Sequence, residues 1–447
     1  MGKYFGTDGA RGIANKELSC EFALKLGRAA AQVLIEKSGK GATVIIGKDT
    51  RISCDMLEGA LTCGLCSVGA NVILLGVVPT PAVAYLVKKY HASCGVMISA
   101  SHNPYEFNGI KLFSGEGFKL PDNVEAEIEY LIDNPDQIHL CSEGEIGRKL
   151  PAPNAVQDYI DHIASTVDVD FSGIKVALDC SCGSSSVTAK KLFEKLGAQV
   201  FVIHDNPNGT NINDNCGSTH MDDIRKFTVE NGCHVGLAFD GDADRCLAVD
   251  EQGHIIDGDQ LIAIFAKYLK DQGKLSGNTA VVTVMSNMGF MRFAKENGIK
   301  VLTTAVGDRY VLEEMLKDRF VIGGEQSGHI IFLDYATTGD GQLTAVQFLN
   351  ILKQTQKTAS QLAATMQVFP QVLKNIKVDS DQDKKVLDLP TIREYIAKKE
   401  QLLGTRGRIL VRASGTEPLI RIMLEGEELA EIDRIADEIQ EKIRENL

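Results

Sequence analysis

Lys175-Val-Ala-Leu-Asp-Cys-Ser-Cys182, Gly197-Ala-Gln-Val-Phe-Val-Ile203, Val235-Gly-Leu-Ala-Phe-Asp-Gly-Asp-Ala-Asp-Arg245 and Cys246-Leu-Ala-Val-Asp250 form the stretch that decides the fold. Each opens on or contains a short apolar run of strand length, and helical stretches separate the first three. The same order stands before it, in Thr43-Val-Ile-Ile-Gly-Lys-Asp-Thr-Arg51, Gly69-Ala-Asn-Val-Ile-Leu-Leu75, Gly95-Val-Met-Ile-Ser-Ala-Ser-His-Asn103 and Gly109-Ile-Lys-Leu-Phe113. It stands after it too, in Ala280-Val-Val-Thr-Val-Met-Ser-Asn287, Gly298-Ile-Lys-Val-Leu302, Phe320-Val-Ile-Gly-Gly-Glu-Gln-Ser-Gly-His329 and His329-Ile-Ile-Phe-Leu333. Continuous apolar runs alternating with helices predict mostly parallel sheets covered on both faces. The helix-free gap before each fourth run predicts an antiparallel edge strand. Three tandem α/β layers follow, and the loops after the third runs are where such sheets hold ligands.

Composition agrees with a multidomain globular protein. The chain has 447 residues, 44% hydrophobic and 24% charged, with 42 Gly and 11 Pro; at about 150 residues per domain this suggests roughly three domains. A net charge of -13 argues against a spread phosphate-backbone footprint, and the absence of Trp with 6% aromatics argues against a single-strand stacking surface. No nucleic-acid partner is expected. The N-terminus lacks the basic-then-apolar order of a secretory signal, and no apolar run approaches about 18 residues. No membrane partner and a cytoplasmic location are expected. The 11 Cys are scattered and often sit in apolar runs, as in Cys94, Cys180 and Cys246, which reads as reduced buried thiols. Cys63-Gly-Leu-Cys66 lies in a helical stretch from Asp55 to Val68 and has no second pair to complete a metal site.

From about residue 370 the pattern changes. Gln371 to Val378, Arg408 to Val411 and Leu419 to Leu424 read as strands, while Leu429, Ile432, Ala436, Ile439 and Ile443 share one helical face. The fold class is therefore α/β: three similar domains with mixed, mostly parallel sheets plus a smaller C-terminal α+β domain. Thr344 to Met366 reads as mainly helical and connecting, and Cys141 to Pro153 as the first boundary. The expected domains are residues 1–150, 151–253, 254–368 and 369–447.

Four loops carry the chemistry. In Asp240-Gly-Asp-Ala-Asp244-Arg245, carboxylates at spacing two fall on one side of an extended segment, and charges about 6 Å apart repel by roughly 3 kcal/mol per pair at an effective dielectric near 20. A divalent cation removes that cost, and hard oxygen donors suit Mg²⁺ or Ca²⁺. An EF-hand with Glu251 at its twelfth position fails on Arg245, where that loop needs Gly; a solvated acidic turn is the plain alternative. Ser99-Ala-Ser101-His102-Asn103-Pro104 puts a hydroxyl at a strand's carboxyl end, either a nucleophile or phosphate carrier or simply a capped turn. Gly323-Gly-Glu-Gln-Ser-Gly-His329 gathers donors and acceptors suited to a polyhydroxyl ligand. Arg412-Ala-Ser-Gly-Thr-Glu-Pro418 with Arg421 makes an anion cradle that is neither a P-loop nor a dinucleotide fingerprint. Arg11, in Tyr4-Phe-Gly-Thr-Asp-Gly-Ala-Arg-Gly12, is a candidate phosphate contact.

These four loops, with Phe5-Gly-Thr-Asp-Gly-Ala-Arg-Gly12, make the chain resemble the α-D-phosphohexomutase superfamily over essentially its full length. The resemblance implies four domains around a central cleft: a phosphoserine domain (1–150), a metal-binding domain (151–253), a sugar-binding domain (254–368) and a phosphate-binding domain (369–447). By motif it implies Ser101 as phosphoserine, with Asp240, Asp242, Asp244 and the phosphoryl group on Ser101 holding one Mg²⁺. Glu325 and Ser327 would contact sugar hydroxyls. Arg412, Ser414, Gly415, Thr416 and Arg421 would hold the non-reacting phosphate. Lys111 and His329 resemble the superfamily's acid/base groups, and Arg245, Arg11 and His102 join them at the transfer site.

Gln326, Val306-Gly-Asp-Arg-Tyr310 and Asn211-Ile-Asn213 with Cys216-Gly-Ser-Thr219 are similar to the branch acting on glucosamine phosphates, and place Arg309 among the substrate contacts. That branch implies interconversion of glucosamine 6-phosphate and glucosamine 1-phosphate through a 1,6-bisphosphate, serving amino-sugar nucleotide and cell-wall precursor synthesis. The phosphomannomutase/phosphoglucomutase branch is the alternative. The partner is a small phosphosugar, and the resemblance leaves a homodimer open. An aspartyl-phosphate phosphatase using Asp240 and Asp242, or a sugar-phosphate binding protein without turnover, are the rivals from other classes.

Overall fold

A computed structural model describes residues 2–6, 8–38, 41–151, 154–380, 383–414 and 419–447. Two compact units are present, one formed by Met1–Met285 with Ile299–Thr365 and the other by Ser286–Gly298 with Met366–Leu447. Gly415 and Thr416 of the expected anion cradle lie outside the described residues.

In chain order the strands are β1 (Ala10–Ile13), β2 (Thr43–Lys48), β3 (Asn71–Val77), β4 (Cys94–Ile98), β5 (Phe107–Ser114), β6 (Lys149–Leu150), β7 (Lys175–Asp179), β8 (Gln199–Ile203) and β9 (Val235–Phe239). They continue with β10 (Cys246–Asp250), β11 (Ile255–Ile256), β12 (Thr279–Thr283), β13 (Lys300–Thr304), β14 (Ile322–Gly324), β15 (Ile330–Phe332), β16 (Gln371–Lys377), β17 (Gly407–Ala413) and β18 (Leu419–Gly426). The first unit holds three sheets ordered β1-β5-β4-β2-β3-β6, β11-β10-β9-β7-β8 and β13-β12-β14-β15.

The sequence repeat is thus a topological one. In each sheet the first run pairs in parallel with both the second and the third, giving β4-β2-β3, β9-β7-β8 and β14-β12-β13. In each, the fourth run pairs antiparallel with the third, but only β15 lies at a sheet edge; β5 and β10, expected at edges, are flanked on their outer sides by β1 and β11. The central strands β4, β9 and β12 are buried along their whole length, as runs covered on both faces must be. Because three layers share one winding, the loops after β4, β9 and β14 leave equivalent strand ends.

Local details follow from small residues. The helices Cys20–Ser38 and Cys54–Ser67 cross where a Cβ on Gly64 would stand 2.4 Å from the Leu24 carbonyl oxygen. Gly64 therefore sits between Cys63 and Cys66 as a packing residue, and both thiols are free. The expected connecting stretch forms the helices Gly341–Thr355 and Ala359–Ala363. The expected first boundary is not bare linker, since β6 pairs in parallel with β3.

The second unit is the antiparallel sheet β16-β18-β17 with the helix Leu429–Arg444, whose Ile432, Ala436, Ile439 and Ile443 enter its core. Helix Met288–Glu296, the crossover between the parallel strands β12 and β13 of the third layer, is grouped with this unit. Its N-terminus meets Glu425, fully buried, whose carboxylate accepts from the Met288 backbone N-H at 2.9 Å, Arg408 Nε at 2.8 Å and Gln371 Nε2 at 2.8 Å. A carboxylate at a helix N-terminus also gains from the helix dipole. Replacing Glu425 by Ala would strand these donors, and a loss of about 3 kcal/mol is expected. Urea unfolding of the full chain checks this; an unchanged midpoint would remove Glu425 as the tie.

Candidate active site

The loops after β4 and β9 meet at Ser101. Ser101 is buried and adopts φ +53°, a left-handed conformation that costs a non-glycine residue roughly 1–2 kcal/mol. Its neighbours hold it there. Its N-H donates to Ser99 Oγ at 3.0 Å, and its carbonyl oxygen accepts from Arg51 at 3.1 Å and Asn213 Nδ2 at 2.9 Å. Arg51 in turn pairs with Asp49, which accepts from Ser99 Oγ at 2.5 Å. Gly241 is required for the approach, because a Cβ there would fall 2.6 Å from the Ser101 carbonyl oxygen. The Ser101 Oγ consequently donates to Asp240 Oδ2 at 2.7 Å and lies 3.3 Å from His102 Nδ1.

Asp240, Asp242 and Asp244 are all buried and bring one carboxylate oxygen each within 4.8 Å of the others. At that separation two unit charges repel by about 3.5 kcal/mol at an effective dielectric of 20. Burial pushes the Asp240 carboxyl well above its ordinary range, reinforced by Asp244 and Asp242. Asp242 goes the other way: burial would raise it, but Lys111 Nζ at 2.8 Å and the Thr80 hydroxyl at 2.6 Å hold it low. Asp242 Oδ1 and Asp244 Oδ1 are buried without a hydrogen-bond partner. Orphaned buried carboxylate oxygens are costly and fit a hard divalent cation, so the donor set passes as a metal site.

Further cations and carboxylates frame the triad. Lys111 also reaches Asp8 at 2.9 Å, and Lys119 bridges Asp8 at 2.6 Å to Asp308 at 2.5 Å. Burial works against the Lys111 charge, yet Asp242, Asp8 and Asp244 outweigh it and keep the ammonium protonated. His329, from the loop joining β14 to β15, places Nδ1 3.6 Å from Asp244 and Nε2 3.6 Å from Asp308, with the Gly339 backbone nitrogen 3.0 Å from Nε2. Arg245 lies 3.9 Å from Asp244, and Arg11 pairs with Asp8. So Ser101, His102, Lys111, Arg245, Arg11 and His329 are gathered around the three Asp.

The other expected residues have separate settings. Glu325 accepts from the Gly307 N-H at 3.0 Å, and the Ser327 hydroxyl is buried without a partner. Arg309 opens the helix Asp308–Asp318 and pairs with Asp122 and Glu313. In the C-terminal unit Arg412 faces Arg421 directly across the β17–β18 pair, where like charges oppose each other; burial and Arg421 lower the Arg412 guanidinium. The Ser414 N-H donates to the Leu419 carbonyl. Asp8, Thr80, Lys119, Asp308 and Asn213 escaped sequence reasoning as site residues. Their loops were visible, but a Thr between two prolines or a lone Lys carries no chemical signature.

Four phosphoglucomutase/phosphomannomutase family profiles match the chain: alpha/beta/alpha domain I over residues 2–139, domain II over 157–253, domain III over 257–369 and the C-terminal domain over 373–442. The chain is 54% identical over 447 residues to the phosphoglucosamine mutase of Clostridium novyi (strain NT), covering 100% of this chain and 99% of that one. It is 52% identical over 448 residues to the phosphoglucosamine mutase of Acetivibrio thermocellus, covering 100% of both. Its fold is similar to a phosphoglucomutase/phosphomannomutase family protein of Burkholderia thailandensis, with TM-score 0.82, 22% identity and coverage of 100% of this chain and 98% of that one. It is also similar to N-acetylphosphoglucosamine mutase of Aspergillus fumigatus in complex with GlcNAc-6P and magnesium, with TM-score 0.72, 18% identity and coverage of 99% and 96%.

The two histidines titrate in opposite directions. Burial, Arg245 and Arg11 push His102 down to about 4. Burial also works against His329, but Asp244, Asp308 and Glu325 lift it to about 9. The folded His102 refuses a proton that the unfolded chain takes, so its contribution to stability is lost as pH falls from 6.5 towards about 4. The His329 contribution is present below 6.5 and is lost as pH rises through about 9. Imidazole nitrogen NMR of the metal-free protein at pH 6 should find the His102 ring neutral and the His329 ring charged. Two rings titrating together near the ordinary value would contradict this electrostatic picture.

Proposed function

This chain belongs to the phosphoglucomutase/phosphomannomutase family, and we propose that it interconverts glucosamine 6-phosphate and glucosamine 1-phosphate through phosphorylated Ser101 and a 1,6-bisphosphate. The observation that carries this reading is the buried Ser101 hydroxyl 2.7 Å from Asp240 inside a three-carboxylate cluster. Identity of 54% along the whole chain to a phosphoglucosamine mutase supports the choice of sugar. A cytoplasmic setting fits the free cysteines, and no helix among the described residues is long and apolar enough to cross a membrane.

Asp240, Asp242 and Asp244 would hold one Mg²⁺, together with a phosphoryl oxygen on Ser101. A bound Mg²⁺ supplies charge neutralisation at the transferring phosphoryl group. In the first transfer the sugar's free hydroxyl oxygen bonds to phosphorus as the bond from phosphorus to Ser101 Oγ breaks. The hydroxyl proton passes to a base, and Ser101 Oγ regains a proton as it leaves. In the second transfer Ser101 Oγ gives up its proton and bonds to the other phosphorus as the bond from that phosphorus to the sugar oxygen breaks, and the sugar oxygen takes a proton to become the product's hydroxyl; neutral His102, 3.3 Å from Ser101 Oγ, is the ring placed to accept the serine proton. Lys111 and the charged form of His329 stabilise the phosphoryl oxygens as donors. In this reading they give electrostatic support, with His329 able to act as an acid.

Glu325 and Ser327 take sugar hydroxyls in this reading, Ser327 offering its unpartnered hydroxyl. The opposed pair Arg412 and Arg421 takes a phosphate, whose charge cancels their repulsion. Ser414, Gly415 and Thr416 are assigned to the same phosphate by motif. Arg309 contacts substrate only after exchanging its bonds to Asp122 and Glu313.

Incubation with glucosamine, glucose, mannose and N-acetylglucosamine 6-phosphates, Mg²⁺ and a trace of bisphosphate should give 1-phosphate fastest from glucosamine. Phosphate release without isomerisation would instead favour a phosphatase, and preference for mannose or glucose the other branch. Ser101→Ala should lower kcat by more than about 10³-fold, as loss of an enzyme nucleophile does; full turnover would refute the phosphoserine route. Because Asp240 holds its proton until a cation displaces it, Mg²⁺ affinity should rise with pH. Calorimetry in buffers of different ionisation enthalpy reads the released proton, and a pH-independent affinity would contradict it.

A further inference from the structure

A second cluster of metal-ligating groups lies behind the Ser101 loop and is chemically unlike the first. Asp179 ends β7, His204 follows β8 and Cys216 lies in the loop beyond it. A carboxylate oxygen, a ring nitrogen and the sulfur of these residues all lie within 4.8 Å of one another. Zinc-ligand distances of about 2.0–2.3 Å imply ligand-to-ligand edges of roughly 3.3–3.7 Å in a tetrahedron, so closure on a cation needs shifts of about an ångström. The Cys182 thiol hydrogen-bonds that of Cys216 and adds a second sulfur.

Two independent features point to a ligand. His204 Nδ1 is buried and pairs with Asp179 Oδ2 at 3.1 Å, so the nitrogen and the carboxylate oxygen already converge on one point. On the far side of the ring, Asp223 Oδ2 stands 3.6 Å from Nε2. A carboxylate there orients an imidazole whose other nitrogen binds metal. Asp179 is itself fixed, accepting from the Ser181 N-H at 2.8 Å and the Gly217 N-H at 3.0 Å.

We propose that Asp179, His204 and Cys216, with Cys182, bind a thiophilic divalent cation of the Zn²⁺ class at a site separate from the all-oxygen triad. Mixed sulfur, nitrogen and carboxylate donors select Zn²⁺ over Mg²⁺, so the two sites sort the two cations by donor softness. Binding replaces the Cys216 thiol proton with the metal and releases that proton to solvent. The bound ion clamps the loops that support Ser101: the Asn213 N-H donates to the Ser181 carbonyl at 2.9 Å, the Asn213 side chain holds the Ser101 carbonyl, and the Thr50 hydroxyl donates to the Cys182 carbonyl at 2.6 Å.

The test loads the full chain with Co²⁺ or Zn²⁺ under a thiol-free reductant and excess Mg²⁺. One Co²⁺ per chain with a near-ultraviolet thiolate-to-cobalt charge-transfer band is expected. That band should persist in Asp240→Asn and vanish in Cys216→Ser and in His204→Gln, while Zn²⁺ raises Tm in the wild type and in Asp240→Asn but in neither of the other two variants. X-ray absorption of the Zn²⁺-loaded wild type, which needs no variant to fold, should find sulfur at about 2.3 Å. A shell of nitrogen and oxygen only, a band that survives both Cys216→Ser and His204→Gln, or no retained Co²⁺ would overturn the proposal.

Discussion

Three buried carboxylates within 4.8 Å of one another are the constraint on which the rest of the site depends. Left alone, such a cluster would resist burial, because each pair repels and each charge loses its hydration. The protein answers partly with fixed charge: Lys111 is buried against Asp242, and Arg245 and His329 flank Asp244. It leaves the remainder unanswered, with Asp242 Oδ1 and Asp244 Oδ1 orphaned and Asp240 holding on to its proton. That residual deficit is what a divalent cation would cancel. It also explains why Ser101 is held in strained backbone by Arg51, Asn213 and Ser99: only there does its oxygen reach Asp240.

The threefold winding makes this convergence cheap in chain terms. Each layer ends its third strand in a polar loop, so one topology repeated three times supplies Ser101, the Asp triad and His329 from equivalent strand ends. Glycine at 241 then lets the first two loops touch backbone to backbone. Lys111, coming from the antiparallel β5 beside β4, is carried into the same place by the fourth run. The antiparallel fourth strand, which looks incidental in sequence and lies between β1 and β4, therefore delivers the main counter-charge.

Much of this was legible beforehand. The apolar runs at 175–179, 235–239 and 246–250 gave strands because buried strands are local signals of composition and length. The mixed sheets, the smaller C-terminal α+β domain and the acidic loop followed from the same reading. Helix Met288–Glu296 was less legible: its amphipathic pattern placed it after β12, but the carboxylate of Glu425 attaches it to the C-terminal unit. The short strand β6 was hidden in a stretch rich in Gly and charge, because two residues carry no periodicity.

Sequence by itself determined the donor chemistry: oxygen ligands at spacing two, a serine at a strand end, and guanidinium groups on neighbouring C-terminal strands. Those are properties of residue type and local spacing. Only the tertiary structure decided which charges face which. Lys111 is paired with Asp242 131 positions away, and Thr80 reaches the same carboxylate across 162 positions. His102 and His329, the same residue type, end up at about 4 and about 9. The reason is physical: a titration is set by desolvation and by through-space distance to other charges, and neither quantity exists until the chain has folded.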